Sequence, residues 1–213
     1  MHLQVHTVVS QPFEENSYIV HRRESPEALV IDPGLEPDLI LDLLQQQQLQ
    51  IVAILNTHGH ADHIAGNAAM KRAFPQAPLL IGANDAVMLT DAWANLSATF
   101  GMPLTSPPAD RLVQGGDLLE YAGIPLEVLF VPGHSPGHVA FLYRGQPCQL
   151  FGGDVLFQSS IGRSDFPGGS AKTLADSIRQ QFYSLPDDTI VYPGHGPTTT
   201  IGREKRTNPF VSG

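Results

Sequence analysis

An all-apolar run, Ile51-Val52-Ala53-Ile54-Leu55, is followed one residue later by Thr57-His58-Gly59-His60-Ala61-Asp62-His63. The run reads as a strand covered on both faces. The histidines therefore gather at the C-terminal end of a buried strand, ahead of a helical pattern from Ile64 to Phe74. Imidazole and carboxylate groups are good ligands for zinc, iron or manganese. His58 and His60 are two apart, so on an extended loop they project to one side and can grip one ion. Asp62 and His63 can then turn toward a second ion. Composition alone places three His and one Asp at these offsets in about one chain in a thousand, so chance is a weak explanation.

The same context recurs three times. His134 follows the run Leu126 to Val131 in Pro132-Gly133-His134, Asp154 follows Gln149 to Phe151 in Gly152-Gly153-Asp154, and His195 follows Thr189 to Tyr192 in Pro193-Gly194-His195. In each case glycine allows a sharp turn or a close approach after an apolar strand. Alone, each residue reads as an ordinary turn or capping group. Together, seven candidate ligands at four strand ends predict a metal centre on one rim.

The rest of the chain supplies strands and helices in groups. Strands are predicted at Leu3 to Val9, Ser17 to Val20, Ala28 to Ile31, Leu79 to Ile81 and Val139 to Tyr143. Asp32-Pro33-Gly34 reads as a turn. A helix opens at Glu36-Pro37 with Leu39, Ile40, Leu43 and Leu44 on one face and ends in the solvated run Gln45 to Gln48. Asn84 to Thr90 is predicted helical, and Ser170 caps a helix running to Leu185. Val87, Leu89, Trp93, Leu96 and Phe100 form an irregular apolar segment, with Trp93 expected in a core or lid. Grouped strands do not suit a doubly wound sheet. They predict an α+β fold of two packed mixed sheets with helices outside. The halves meet near residues 105–115 as an internal pseudo-repeat within one domain spanning 1–213.

Composition narrows the function. Lys and Arg total 12 against 21 Asp and Glu, a formal charge of −9, which argues against nucleic acid or anionic membrane as a partner. No apolar run reaches the ~18 residues a membrane helix needs. Met1 to Ser10 lacks the features of a secretion signal, so a cytoplasmic location is expected. The one cysteine, Cys148, cannot form an internal disulfide or a cysteine-based zinc site. The oligomeric state is not legible.

The H-x-H-x-D-H motif at His58 to His63, the later His134, Asp154 and the final His195 resemble, in order and along the whole chain, the metallo-β-lactamase superfold. The resemblance implies a four-layer αββα sandwich with a binuclear site at its rim. It implies that His58, His60 and His134 hold one metal, that Asp62, His63 and His195 hold a second, and that Asp154 bridges them. Gly133-His134-Ser135-Pro136-Gly137-His138 is similar to a segment of hydroxyacylglutathione hydrolases (glyoxalase II), in which the second histidine, here His138, supports the site. Ser160-Ile161-Gly162-Arg163-Ser164-Asp165-Phe166 resembles a Gly-Cys-Gly-Arg loop shared by those hydrolases and the persulfide dioxygenases, with Ile161 where many relatives have Cys. Arg163, Asp165 and Phe166 are thereby candidate substrate-binding or supporting residues, and an Arg163–Asp165 salt bridge is an equal reading. Glyoxalase II proper carries a C-terminal helical domain that binds glutathione. Only Thr200 to Gly213 follows here, so that domain is not expected, and the chain resembles the short single-domain bacterial type.

The leading expectation is a metallo-hydrolase that cleaves a small-molecule thioester of the S-lactoylglutathione type with a metal-bound hydroxide. Two divalent ions are expected, zinc first, with iron or manganese as alternatives. Asp62 and Asp154 serve as ligands and orient the hydroxide. Three readings stay open beside it. One is a mononuclear iron persulfide dioxygenase using His58, His134 and Asp154. The others are a different hydrolase of the same fold, such as a lactonase, and a metal-loaded protein without turnover.

Overall fold

The computed structural model describes residues 3–213. Met1 and His2, at the head of the segment read for a targeting signal, lie outside the described residues. Six strands form the first sheet in sequence order: β1 (Leu3–Ser10), β2 (Glu15–Arg22), β3 (Glu27–Ile31), β4 (Gln50–Leu55), β5 (Leu79–Gly82) and β6 (Arg111–Val113). β1, β2 and β3 pair antiparallel, and β3 to β6 pair parallel. The chain then crosses to a second sheet: β7 (Leu118–Tyr121), β8 (Ile124–Phe130), β9 (Val139–Tyr143), β10 (Gln149–Gly153), β13 (Ile190–Pro193) and β14 (Thr199–Thr200). Its spatial order is β14-β13-β10-β9-β8-β7, with one parallel pair, β10 and β13. A two-stranded hairpin, β11 (Leu156–Phe157) and β12 (Ser160–Ile161), stands apart.

Strand alternation builds the layers. On β3, Leu29 and Ile31 point between the sheets, where they meet Val128, Phe141 and Phe151 from the second sheet. Ala28 and Val30 point the other way, toward Ile40 and Leu44 of α1 (Pro37–Gln47) and Met70 of α3 (Asn67–Ala73). β4 is apolar throughout because both its faces are covered. Its Val52 is an extra residue in the ladder with β3, so Ile51 and Ile54 face the helices while Ala53 and Leu55 face the inter-sheet core. On the far side, Leu142, Leu150 and Val191 pack under Leu174 of α5 (Ala171–Ser177), Phe182, and Ile201 of α6 (Ile201–Thr207). The result is helix, sheet, sheet, helix, an α+β arrangement of the predicted kind. No helix among the described residues is long and apolar enough to cross a membrane.

Several local expectations are corrected. The pattern Ile64 to Phe74 is two helices, α2 (Ala61–Ile64) and α3, broken at Gly66. There Gly66 N–H donates to Pro33 O at 2.8 Å, and a Cβ at Gly66 would lie 2.8 Å from that same oxygen. The helix capped by Ser170, which accepts from Thr173 N at 3.2 Å, stops being α-helical at Ser177 and continues as a π-helical turn, Ile178–Phe182. Strand β8 starts two residues earlier than expected, because Pro125 lies beyond the reach of β9, which pairs with β8 from Glu127 on. The missing N–H therefore costs no ladder bond on that side. Leu39 faces solvent at 46% exposure, leaving Ile40 and Leu44 as the buried stripe of α1. Trp93, at 72% exposure, lies outside the core. The short strands β6 and β7 and helix α6 carry too few periodic residues to be read from sequence.

Phe141 is fully buried between Tyr18 and Val128 in the inter-sheet core. Phe141→Ala is expected to cost about 3–5 kcal/mol through lost burial and the cavity left behind. Urea unfolding should show a lower midpoint at unchanged slope. A change under about 1 kcal/mol would contradict this packing.

Candidate metal centre

All seven predicted ligands meet at one rim, where β4, β8, β10 and β13 end. The described atoms form two triads, His58-His60-His134 and Asp62-His63-His195, with the ligand atoms of each within 4.8 Å of one another. His60 Nδ1 lies 2.8 Å from His134 Nε2. His195 Nε2 lies 3.4 Å from Asp62 Oδ2, and His63 Nε2 lies 3.7 Å from the same oxygen. Asp154 stands between the triads. Its Oδ2 is 3.5 Å from both His134 Nε2 and His195 Nε2, and its Oδ1 is 3.5 Å from His63 Nε2.

Orientation is set from behind. His134 Nδ1 donates to Arg163 O at 2.7 Å, and His195 Nδ1 donates to Phe13 O at 3.0 Å. His63 Nδ1 donates to Asp32 Oδ2 at 3.2 Å. Thr57 gives its hydroxyl proton to the same Asp32 oxygen at 2.7 Å, so its Oγ1 accepts from His58 Nδ1 at 3.1 Å. With each Nδ1 proton committed outward, the four Nε2 atoms turn inward, and once His63 gives up its second proton all four offer the lone pair a metal requires. His58 Nε2, His63 Nε2 and Asp154 Oδ1 are buried without a hydrogen-bond partner. Buried polar atoms rarely lack one. A cation at this donor set satisfies all three, so the residues present fit a metal. Asp32, His58 and His63 also cluster, but the oxygens of Asp32 are taken by Thr57 and His63, so Asp32 orients ligands and does not serve as one.

The electrostatics follow from this packing. Burial pushes His58 well below its ordinary value, and neighbouring His63 and His60 add to the effect. Burial, reinforced by His134, lowers His60 to about 3. Both are neutral at pH 7 and ready to coordinate. Burial also opposes charge on His63, yet Asp62, Asp154 and Asp32 together outweigh it and hold the imidazole well above its ordinary value. For Asp62, burial is outweighed by His63 and His195, which hold its carboxyl far below the usual range.

A second buried carboxylate, Asp85, joins the two ligand loops. It accepts from Ser135 Oγ at 2.5 Å, Gly137 N at 2.6 Å and Gly59 N at 3.3 Å. The approach requires glycine at 137, where a Cβ would lie 2.3 Å from Asp85 N. Burial raises the Asp85 carboxyl, and its three donors partly reverse the shift. His138 is fully buried, stacks on His58 with centroids 4.8 Å apart, and accepts from Asp154 N at 3.1 Å. It thus steadies one ligand ring and the backbone of another.

Arg163 and Asp165 form an exposed bidentate pair at 2.8 and 2.9 Å, with the guanidinium 3.9 Å over the Phe166 ring. Phe166 in turn sits edge-on to His60 and lines a cavity of about 310 Å³ above the centre, as does Arg163, while Asp165 stays outside it. Sequence reasoning missed Asp32, Asp85, Thr57 and Phe13. Asp32 carried the same signal as the ligands, a carboxylate straight after an apolar strand, but its Pro-Gly neighbours favoured a turn. Asp85 sat within a segment read as helix. The carbonyl of Phe13 carries no side-chain signal.

A profile of the metallo-beta-lactamase superfamily matches residues 11–195. The chain is 37% identical over 203 residues to hydroxyacylglutathione hydrolase GloC of Haemophilus influenzae, covering 94% of each chain. Among solved structures it is similar to the B3 metallo-beta-lactamase BLEG-1, with a TM-score of 0.94, 38% identity and coverage of 99% of this chain and 100% of that one. It is also similar to TTHA1623 in a di-iron-bound form, with a TM-score of 0.85, 40% identity and coverage of 97% and 100%.

Two outcomes are expected. A metal entering at pH 7 must displace the proton that the carboxylates hold on His63, so loading releases protons and apparent affinity falls as pH falls. Calorimetry in two buffers of different ionisation enthalpy should give different heats; equal heats would contradict it. Asp85→Ala leaves three donors without their acceptor and loosens both ligand loops. Competition with a chromophoric chelator should show metal affinity lower by about 10–100-fold.

Proposed function

Since the chain belongs to the metallo-beta-lactamase superfamily, we propose that it is a metallo-hydrolase that cleaves thioesters of the hydroxyacylglutathione type. The single observation that carries the reading is the double triad spanned by Asp154 at the floor of an open cavity. His58, His60 and His134 would hold one divalent ion and Asp62, His63 and His195 the other, with Asp154 standing between the two triads. Zinc suits this nitrogen and carboxylate set, and so does iron, the metal bound in the similar TTHA1623 structure. Bound there, the ions supply Lewis acidity and lower the pKa of water toward 7.

The protein's own groups do the rest. Asp62 and Asp154 are carboxylates beside the space where water and the scissile carbonyl meet, and they orient the attacking oxygen. His138, donating nothing to Asp154 but accepting its N–H, fixes where that carboxylate stands. No Ser, Cys or Lys lines the cavity among the described residues, so attack by water and not by a side chain fits the lining. A departing thiolate, with a pKa near 8.5, needs little protonation. That is why a site without an obvious general acid suits a thioester. The name of the GloC relative supports the acyl-glutathione class. Because both sheets contribute ligands, we read residues 1–213 as one catalytic unit, acting on a small molecule in the cytoplasm.

Thiol release from S-lactoylglutathione tests this. Metal-loaded protein should release thiol, chelator-stripped protein should not, and Asp154→Ala should lose more than about 100-fold in kcat/KM while keeping its fold. No release, together with one iron per chain and oxygen uptake on glutathione persulfide, would replace the hydrolase with a dioxygenase.

A further inference from the structure

The cavity above the metal centre has two unlike flanks. Beside His60 and His134 stand Phe166 and Arg163. Beside Asp62 and His195 stand Phe13, Leu96 and Phe100, with no charged side chain other than the ligands themselves among the described lining residues. Phe13 and Phe100 are 38% and 53% exposed, and their rings lie tilted at 58° with centroids 6.3 Å apart. An apolar recess of about 30 Å³ continues behind them, bounded by Leu35, Met102 and Leu104. Large apolar side chains held open to solvent above a polar floor mark a surface that a ligand covers.

This flank is built and held in place. The Phe13 carbonyl accepts from His195 Nδ1, so the ring's backbone is fixed to a metal-ligand candidate. The opposite wall is tied to the start of α2, because Ala61 N–H donates to Asn95 O at 3.1 Å. Asn95 is fully buried, donates to Met88 O and Leu104 O, and accepts from Ser97 Oγ at 2.6 Å. That network holds Leu96 at φ 72°, a left-handed conformation that a leucine rarely adopts. The strain persists because the surrounding bonds over-determine the loop, a pattern that clusters at ligand sites.

Charge points the same way. A glutathione moiety carries two carboxylates and one ammonium. Arg163 is the one Lys or Arg side chain among the described residues lining the cavity, and its Nε and Nη2 are already given to Asp165. The chain's net charge of −9 does not draw an anion in.

We propose that the Phe13–Leu96–Phe100 flank is a substrate pocket for an aliphatic or aromatic group next to the scissile bond, so that among the thioesters cleaved, those carrying such a group are preferred over S-lactoylglutathione. This inference rests on the hydrolase reading for its chemistry, not for its binding surface. Two measurements separate the two. In the first, kcat/KM is compared for S-lactoylglutathione, S-phenylacetylglutathione and the lactoyl thioester of 2-phenylethanethiol. One or both apolar thioesters should exceed S-lactoylglutathione by about 10-fold or more, and the ratio should fall toward one in Phe13→Ser and Phe100→Ser. In the second, phenylacetate and acetate, alike but for the ring, are titrated into metal-loaded protein by calorimetry. Phenylacetate should bind at least about 10-fold more tightly, and either substitution should erase the difference. If no thioester is cleaved but the phenylacetate preference depends on Phe13 and Phe100, the pocket stands and the hydrolase reading falls. The pocket is overturned if S-lactoylglutathione is the best of the three thioesters. It is equally overturned if phenylacetate binds no better than acetate, or if its preference survives both substitutions. Neither side chain belongs to a core cluster, so neither substitution removes core packing.

Discussion

His60 Nδ1 and His134 Nε2 stand 2.8 Å apart at the centre of the rim, where His134, whose Nδ1 hydrogen goes to Arg163 O, can only accept from His60 or bind a cation. Around them, His58 Nε2, His63 Nε2 and Asp154 Oδ1 are buried without a partner. Such a concentration of unpaired donors to a cation is unfavourable unless a positive charge is supplied. The elements near the rim are arranged to keep the cluster from relaxing. Asp32 fixes His63 directly and His58 through Thr57, and Asp85 pins the loops on either side. Two buried carboxylates that touch no reacting atom therefore decide where the reacting atoms can be.

The sandwich makes that arrangement possible. The ligands from Thr57–His63 leave the first sheet, and His134, Asp154 and His195 leave the second. Packing the sheets through Leu29, Ile31, Phe141 and Phe151 brings those ends together. Core packing and metal geometry are thus linked, because a shift between the sheets would separate the triads. The second strand contributes as well. β2 runs back from the same rim, where Asn16 N–H donates to Gly194 O and the Asn16 side chain donates to Pro193 O and Gly196 O. Those bonds set the loop that carries His195.

The cavity over this floor divides the labour between chemistry and selection. The imidazole and carboxylate floor suits a reaction type more than one substrate. Each wall is tied by backbone to the floor: Phe13 through His195, Arg163 through His134, and the Asn95 loop through Ala61. A bound group that contacts a wall is thereby held in register with the centre, which is how binding away from the reacting atoms can be used for orientation.

Strand alternation and apolar runs were legible in the sequence wherever one element buries a full face, as in β3, β4, β9 and β10. The seven ligand candidates were legible because imidazole and carboxylate side chains after strand ends are chemically conspicuous. Short edge strands such as β6 and the break between α2 and α3 were not, since a few residues carry no period and Gly66 breaks the helix through contact with Pro33, distant in the chain. Asp32 and Asp85 also escaped, because a buried carboxylate differs from an exposed one only in what packs around it. The candidate donor set and the layered α+β plan could be read from residue type and local spacing alone. Which ring nitrogens face inward, which carboxylates are tied up by neighbouring donors and which apolar side chains line the cavity emerged from the packed chain. Those depend on groups brought together from distant segments, where a few tenths of an ångström separate a hydrogen bond from none.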